Sequence, residues 1–181
     1  MAIDKIPSVA LDSGVPTRAQ LPAGSVLQVV STTKTDTFSS NTTTTFVDIT
    51  GLSVSVTPSS SSNLILVTYS VCTNVINGAY AVHLRLLRNS TNIAQGTPSG
   101  NIIGATTSAY SSSSNGEYPM YVQTMTFLDS PATISATTYK LQARGWNSVA
   151  GTFYINQIAP ENNTANFART VSTITVMEIA A

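Results

Sequence analysis

The chain has 181 residues, 19.0 kDa and a formal net charge of +0, which accommodates one domain of ordinary size and excludes a second large one. Apolar residues make up 42% of it, enough to build a core without disulfides or metal, so a disordered chain is excluded as well. Only 9% of residues are charged, against roughly 25% in a typical protein. Ser and Thr, more than a quarter of the chain, stand in their place, and such a surface sets up no field for nucleic acid or an anionic membrane.

Residues 1–24 form the first element, an extended arm. Pro7, Gly14, Pro16, Pro22 and Gly24 punctuate it and no apolar period persists. Asp4 and Lys5 stand where a secretion signal would need an unbroken apolar stretch. Ile3, Ile6, Val9, Leu11, Val15 and Leu21 give the arm more apolar side chains than a solvated tail requires, so it is expected to dock on a neighbour.

From Ser25 onward the period is 2 and β-branched residues dominate, which predicts one domain over residues 25–181 built of successive strands. The first, Ser25–Thr33, carries apolar residues on both faces and is expected to be covered on both sides. A second is predicted over Thr43–Ile49. A third has Leu52, Val54 and Val56 inward and stops at Pro58 and the Ser59–Asn63 turn. Leu64–Thr73, with Ile65, Val67, Tyr69 and Val71 on one side, reads as a central strand. Tyr80–Arg88 points Val82, Leu84 and Leu86 inward and His83, Arg85 and Leu87 outward, and residues 88–92 read as a hairpin tip. Residues 96–118 lose periodicity and are predicted to be a long exposed loop. Met120–Leu128, Thr137–Trp146, Gly151–Asn156 and Arg169–Ile179 supply four more strands. With no helical stripe anywhere, the expected fold is all-β: a two-sheet antiparallel sandwich, a jelly roll, with the arm extended from it.

The residues offer little catalytic chemistry. His83 is the only histidine, so a Ser/His/Asp hydrolase would depend on it, and no nucleophile-elbow pattern surrounds any serine. The eight acids, including Asp36, Asp48, Asp129 and Glu178, are scattered singly, whereas glycoside cleavage needs a facing pair. Cys72 is the lone cysteine and reads as a buried small apolar residue. No Zn²⁺ or Ca²⁺ ligand set, phosphate loop or basic-aromatic patch is evident, so no enzyme activity, cofactor or metal is expected. The most apolar unbroken run, Leu64–Val67, falls far short of the roughly 20 residues of a membrane-spanning helix, so no membrane insertion is expected. The Asn41, Asn89 and Asn162 sequons carry no weight in a chain this rich in Asn, Ser and Thr.

Three aromatics near loops, Tyr110, Tyr118 and Trp146, are candidates for contact with a receptor, with packing over the sandwich ends as the alternative. Outward-facing Leu64, Leu66 and Leu87 motivate an apolar subunit contact. A neutral, strongly β-forming chain must also have its edges closed, covered or paired, which argues for a defined oligomer.

The segments LPAGSVLQVV (21–30), TFSSNTTTTFVDITGLSVSVTPSSSSNLILV (37–67), LRLLRNST (84–91) and ARTVSTITVMEI (168–179), in this order, resemble a family of small virion surface proteins of bacteriophages, tail-fibre or virion structural proteins of marine and cyanobacterial phages. The resemblance covers nearly the whole chain from Leu21. It implies a jelly-roll head on the exterior of a phage particle, anchored through residues 1–24 to tail, baseplate or major capsid protein. The implied role is a trimeric short tail fibre or fibre tip whose loops meet a host surface glycan or protein. A capsid decoration (cement) protein is the alternative, and a free lectin a third reading. The lack of a shaft, coiled coil or repeat sets the chain apart from long fibres.

Overall fold

A computed structural model describes residues 21–75, 81–110, 120–146, 151–159 and 161–181. Eleven strands lie within them: β1 (Val26–Lys34), β2 (Phe38–Ser40), β3 (Val47–Val56), β4 (Leu64–Val75), β5 (Ala81–Arg88), β6 (Thr91–Ile93), β7 (Thr107–Tyr110), β8 (Tyr121–Asp129), β9 (Thr137–Gly145), β10 (Phe153–Ile155) and β11 (Ser172–Ile179). Every pairing is antiparallel. One sheet has the lateral order β1-β11-β4-β8, with β10 continuing the row of β11 along the C-terminal end of β4 and β2 continuing the row of β1 beside it. The other runs β3-β9-β5-β7, with β6 beside β7 on the free side of β5. Numbered as eight rows in chain order, the sheets read 1-8-3-6 and 2-7-4-5, the double Greek key of a jelly roll.

The alternation read from the sequence is what fills the space between the sheets. Leu52, Ile65, Val67, Val71, Leu84, Leu86, Tyr139, Leu141, Phe153, Ile155, Ile174 and Val176 are all buried in one cluster. Each such side chain contributes about 1.5–3 kcal/mol through removal from water. At one edge of the sandwich the sheets are joined by side chains: Thr32 Oγ1 donates to Ser53 O at 2.8 Å and Gln28 Nε2 to Thr57 O at 2.9 Å.

The structure corrects four expectations. The runs at 43–49 and 52–56 are not two strands. β3 spans Val47–Val56 and stays paired with β9 on either side of an irregularity between Asp48 and Ser53. Gly51, at φ 85°, supplies the left-handed residue such a bulge needs. The first strand is not covered on both faces, for Val26 and Val29 are exposed and the register shifts between Val26 and Gln28. Residues 96–118 are not loop throughout, because Thr107–Tyr110 pairs with β5 as an edge strand, too short and small-chained to show an apolar period. Lastly, Leu87 faces away from the core yet is buried, flanked by Asn92 and Lys140 on the strands either side, so it is not available to a subunit contact.

Candidate functional site

Strand register brings together residues far apart in sequence. On the outer face of the β3-β9-β5-β7 sheet, Ser108, His83 and Arg144 occupy one row across β7, β5 and β9. The next row holds Arg85, Gln142 and Asp48. Ser108 Oγ and His83 Nδ1 are 2.8 Å apart. The Arg85 guanidinium stacks on Phe46, 3.8 Å from the ring centroid, and its Nε donates to Gly104 O at 3.0 Å. Arg144 lies 5.7 Å from the same ring, and donates through Nε to Gly145 O and through Nη1 to Thr44 O, both at 3.3 Å.

A flap over residues 96–105 walls this row. Gly96 N donates to Ala105 O at 3.0 Å, and Ser99 and Ile102 exchange backbone bonds of 3.1 and 2.8 Å around Gly100, whose φ is 55°. Gly104 must lack a side chain, since a Cβ there would lie 2.6 Å from Gly96 O. The base of the flap is fixed by Thr106, whose N donates to Leu84 O and whose Oγ1 accepts from Leu86 N. Between flap and sheet runs an open groove lined by Thr44, His83, Asn101, Ile102, Arg144 and Trp146. Trp146 and Tyr110 meet edge to face at its end, ring centroids 5.6 Å apart, both beside Ala81 of β5.

The groove is cationic. Four ion pairs join described residues, Lys34–Asp36, Arg88–Asp129, Lys140–Asp48 and Arg169–Glu161, and none includes Arg85 or Arg144. Burial, then the charge of Arg144, holds His83 below its ordinary value near 6.5, so the imidazole is neutral at pH 7. That disfavours nucleophilic use of Ser108: the imidazolium formed when His83 takes a proton would face a guanidinium where a hydrolase places a carboxylate.

The scattered acids acquire neighbours too. Glu178 and Asp129 share one inward row, separated by Ile65. Glu178 is fully buried and accepts from Gln28 Nε2, Ser59 N, Ser59 Oγ and Asn63 Nδ2 at 2.5–2.7 Å. Burial alone would raise its carboxyl, but the donors from Asn63, Ser59 and Gln28 outweigh it and hold the group at about 2. Asp129 accepts from Arg88 Nη1 at 2.9 Å and from Tyr139 Oη at 2.7 Å. Both carboxylates are thus engaged in holding the sandwich together.

The outer face of the opposite sheet is different in kind. Across β1, β11, β4 and β8 the register aligns Val29, Met177, Leu66 and Leu128 in one row, Ser31, Thr175, Thr68 and Thr126 in the next, and Thr33, Thr173, Ser70 and Thr124 in a third. Cys72 and Val122 follow beyond them. Cys72, expected to be buried, is only half-buried, because its place in the alternation of β4 is on this outer face. No charged residue stands among these outward positions. Ser31 Oγ and Thr175 Oγ1 are 2.7 Å apart, and Val29, Val122 and Leu128 are more than half exposed.

Of the residues singled out in the sequence, Leu64 and Leu66 lie half-buried on the outer face of β4, while Leu87 is on the other sheet. Tyr110 and Trp146 come together; Tyr118 lies outside the described residues, as do Ile3, Ile6, Val9, Leu11 and Val15 of the arm. Leu21 is exposed beside Leu27, Ser59 and the C-terminal Ala181. Strand alternation alone sets Arg85 beside His83, whereas sequence reading passed over Arg144, Ser108 and Asn101, because only strand register and the flap make them neighbours of His83.

No protein-family model and no curated protein matches the chain. Among solved structures, one titled "Structure of infectious bursal disease virus Gx strain" is similar over 93% of this chain, at 14% identity and a TM-score of 0.31. The chain spans 42% of the length of that one.

Proposed function

We propose that the chain is a structural protein of a virion: an oligomer, in its fullest form a trimeric short tail fibre or fibre tip on the outside of a phage particle. In this reading residues 1–24 anchor it and loops at the free end meet the host surface. It works by binding and assembly and not by catalysis.

The observation that carries the reading is the uncharged face of β1, β11, β4 and β8. Four strands about 4.8 Å apart and nine residues of about 3.3 Å rise make it roughly 20 by 30 Å, or about 600 Å² per copy. Covering such a face on each copy with an equal area of the next copy buries about 1,200 Å² per contact, the lower edge of the range for specific interfaces. An apolar row flanked by hydroxyl rows loses no charge solvation on being covered, and hydroxyls that can donate or accept find partners on whichever polar groups the next copy presents. The virion setting is what the sequence resemblance to phage virion surface proteins implies.

Sedimentation equilibrium of the purified chain, together with immunogold labelling of intact particles, tests this. Trimers in solution and label at the tail tip are expected. A monomer at micromolar concentration, or particles without the chain, would overturn it.

A further inference from the structure

We infer that the groove between the 96–105 flap and the β5–β9 face binds a saccharide bearing an acidic group, with Arg144 holding the acid and Trp146 covering a sugar ring. This takes up the host-contact part of the function proposed above and rests on that reading for its biological setting, though not for its geometry.

The chemistry of the lining supports one ligand class. Arg144 is nine-tenths buried and lines the groove without a carboxylate partner among the described residues. Arg85 adds a second positive charge nearby: burial first, and then the charge of Arg85, hold the Arg144 guanidinium below its ordinary value. Two guanidiniums on one sheet face, neither of them in an ion pair among the described residues, leave a positive potential where an anion would be stabilised by a charge-assisted, fork-shaped contact. The neighbouring row does contain an acid, Asp48, but it is occupied by Lys140 Nζ at 2.8 Å and Gln142 Nε2 at 2.7 Å.

The rest of the lining suits a sugar and not a polyanion. Asn101 and Thr44 offer donors and acceptors for ring hydroxyls, and neutral His83 adds a further polar edge. Trp146 is 38% exposed and braced edge-on by Tyr110, so its position is set before a ligand arrives. Ile102, 69% exposed at the flap tip, gives the opposite wall an apolar surface. A nucleic acid would need a row of cations along its phosphates, and a chain of net charge +0 provides one cationic spot.

The test is calorimetric titration of the intact chain with short oligosaccharides of galacturonate, glucuronate, sialic acid and sulfated hexoses. Each is paired with its methyl-esterified or desulfated neutral counterpart, and acetate and sulfate alone serve as bare-anion controls. At least one acid form is expected to bind about tenfold or more tightly than its neutral partner and than the bare anions, the gap of one charge-assisted contact. Trp146→Ala and Asn101→Ala, both in exposed positions, are expected to weaken that binding several-fold, and Arg144→Gln, which removes the charge, to remove the preference for the acid. Circular dichroism confirms that each variant is folded. Acid and neutral forms binding alike, no acid binding, bare anions binding as tightly as their sugars, or binding indifferent to Trp146 and Arg144 would each overturn the inference. Failure here with label still at the tail tip sinks the groove alone, and binding by a chain missing from particles sinks the virion reading alone.

Discussion

Replacing Glu178 with Gln keeps the shape of the side chain and inverts half of its hydrogen bonding. In the native protein four donors, Gln28 Nε2, Ser59 N, Ser59 Oγ and Asn63 Nδ2, converge on one buried carboxylate. A Gln amide puts an NH₂ among them and sets donor against donor. The folded carboxyl is held at about 2 against an ordinary value of 4.5, a difference that corresponds to about 3 kcal/mol at about 1.4 kcal/mol per pH unit. A depressed folded value means that this stability is fully present above the unfolded value and is lost as pH falls toward and through about 2. Urea unfolding of both proteins from pH 7 to pH 2 should therefore show Glu178→Gln about 3 kcal/mol less stable at neutral pH, with the gap closing from about pH 5 downward. The difference between the two curves isolates this group from the other carboxylates. A gap under about 0.5 kcal/mol at pH 7, or one that stays constant down to pH 2, would refute the argument that the donors of the 59–63 turn and β1 act through the charge of Glu178.

Asn156→Ala is expected to cost about 2–4 kcal/mol in urea unfolding, because the fully buried Asn156 adopts φ 64° and its side chain bonds Lys34 O, Asp36 O and Ser172 Oγ. Gly104→Ala places a Cβ 2.6 Å from Gly96 O, an overlap of backbone that should cost about 1–3 kcal/mol and speed hydrogen exchange of the 96–105 amides ahead of the core strands. Leu128→Lys changes a half-exposed position on the uncharged face. It should leave the unfolding of the single chain within about 0.5 kcal/mol of native while sedimentation shows the oligomer dissociating.

What the sequence shows on its own depends on whether a property is local to one strand. The inward positions of β4, β5 and the second half of β3 are written in their own alternation, and all of them are buried in the core. Two such half-buried surfaces need a second sheet to cover them, so the sandwich was legible. Register was not. Nothing in the chain order announces that Ser108 and Arg144 flank His83, or that Thr175, Thr68 and Thr126 continue a row begun at Ser31. Gly51 illustrates the same limit, since a glycine between two apolar runs reads as a break, whereas its left-handed backbone carries the strand through a bulge. Leu87 marks a further limit, since outward is not the same as exposed: on a central strand the neighbouring side chains can cover an outward residue.

The two outer faces divide the protein's few charges unequally, and that inequality is itself an argument. His83, Arg85, Lys140, Arg144 and Asp48 all stand outward on the β3-β9-β5-β7 sheet, while the outward positions of β1, β11, β4 and β8 hold none. A freely soluble face normally carries scattered charges of both signs, which keep it hydrated and hinder association. A face left without them, and with Val29, Val122 and Leu128 exposed on it, favours association, the more so beside β8, whose outer edge ends the sheet among the described residues. The same reasoning sets the orientation. If the neutral sheet is covered by sister chains, the charged sheet with its flap and groove is the one turned toward solvent, and a contact with anything outside the assembly must be made from that side.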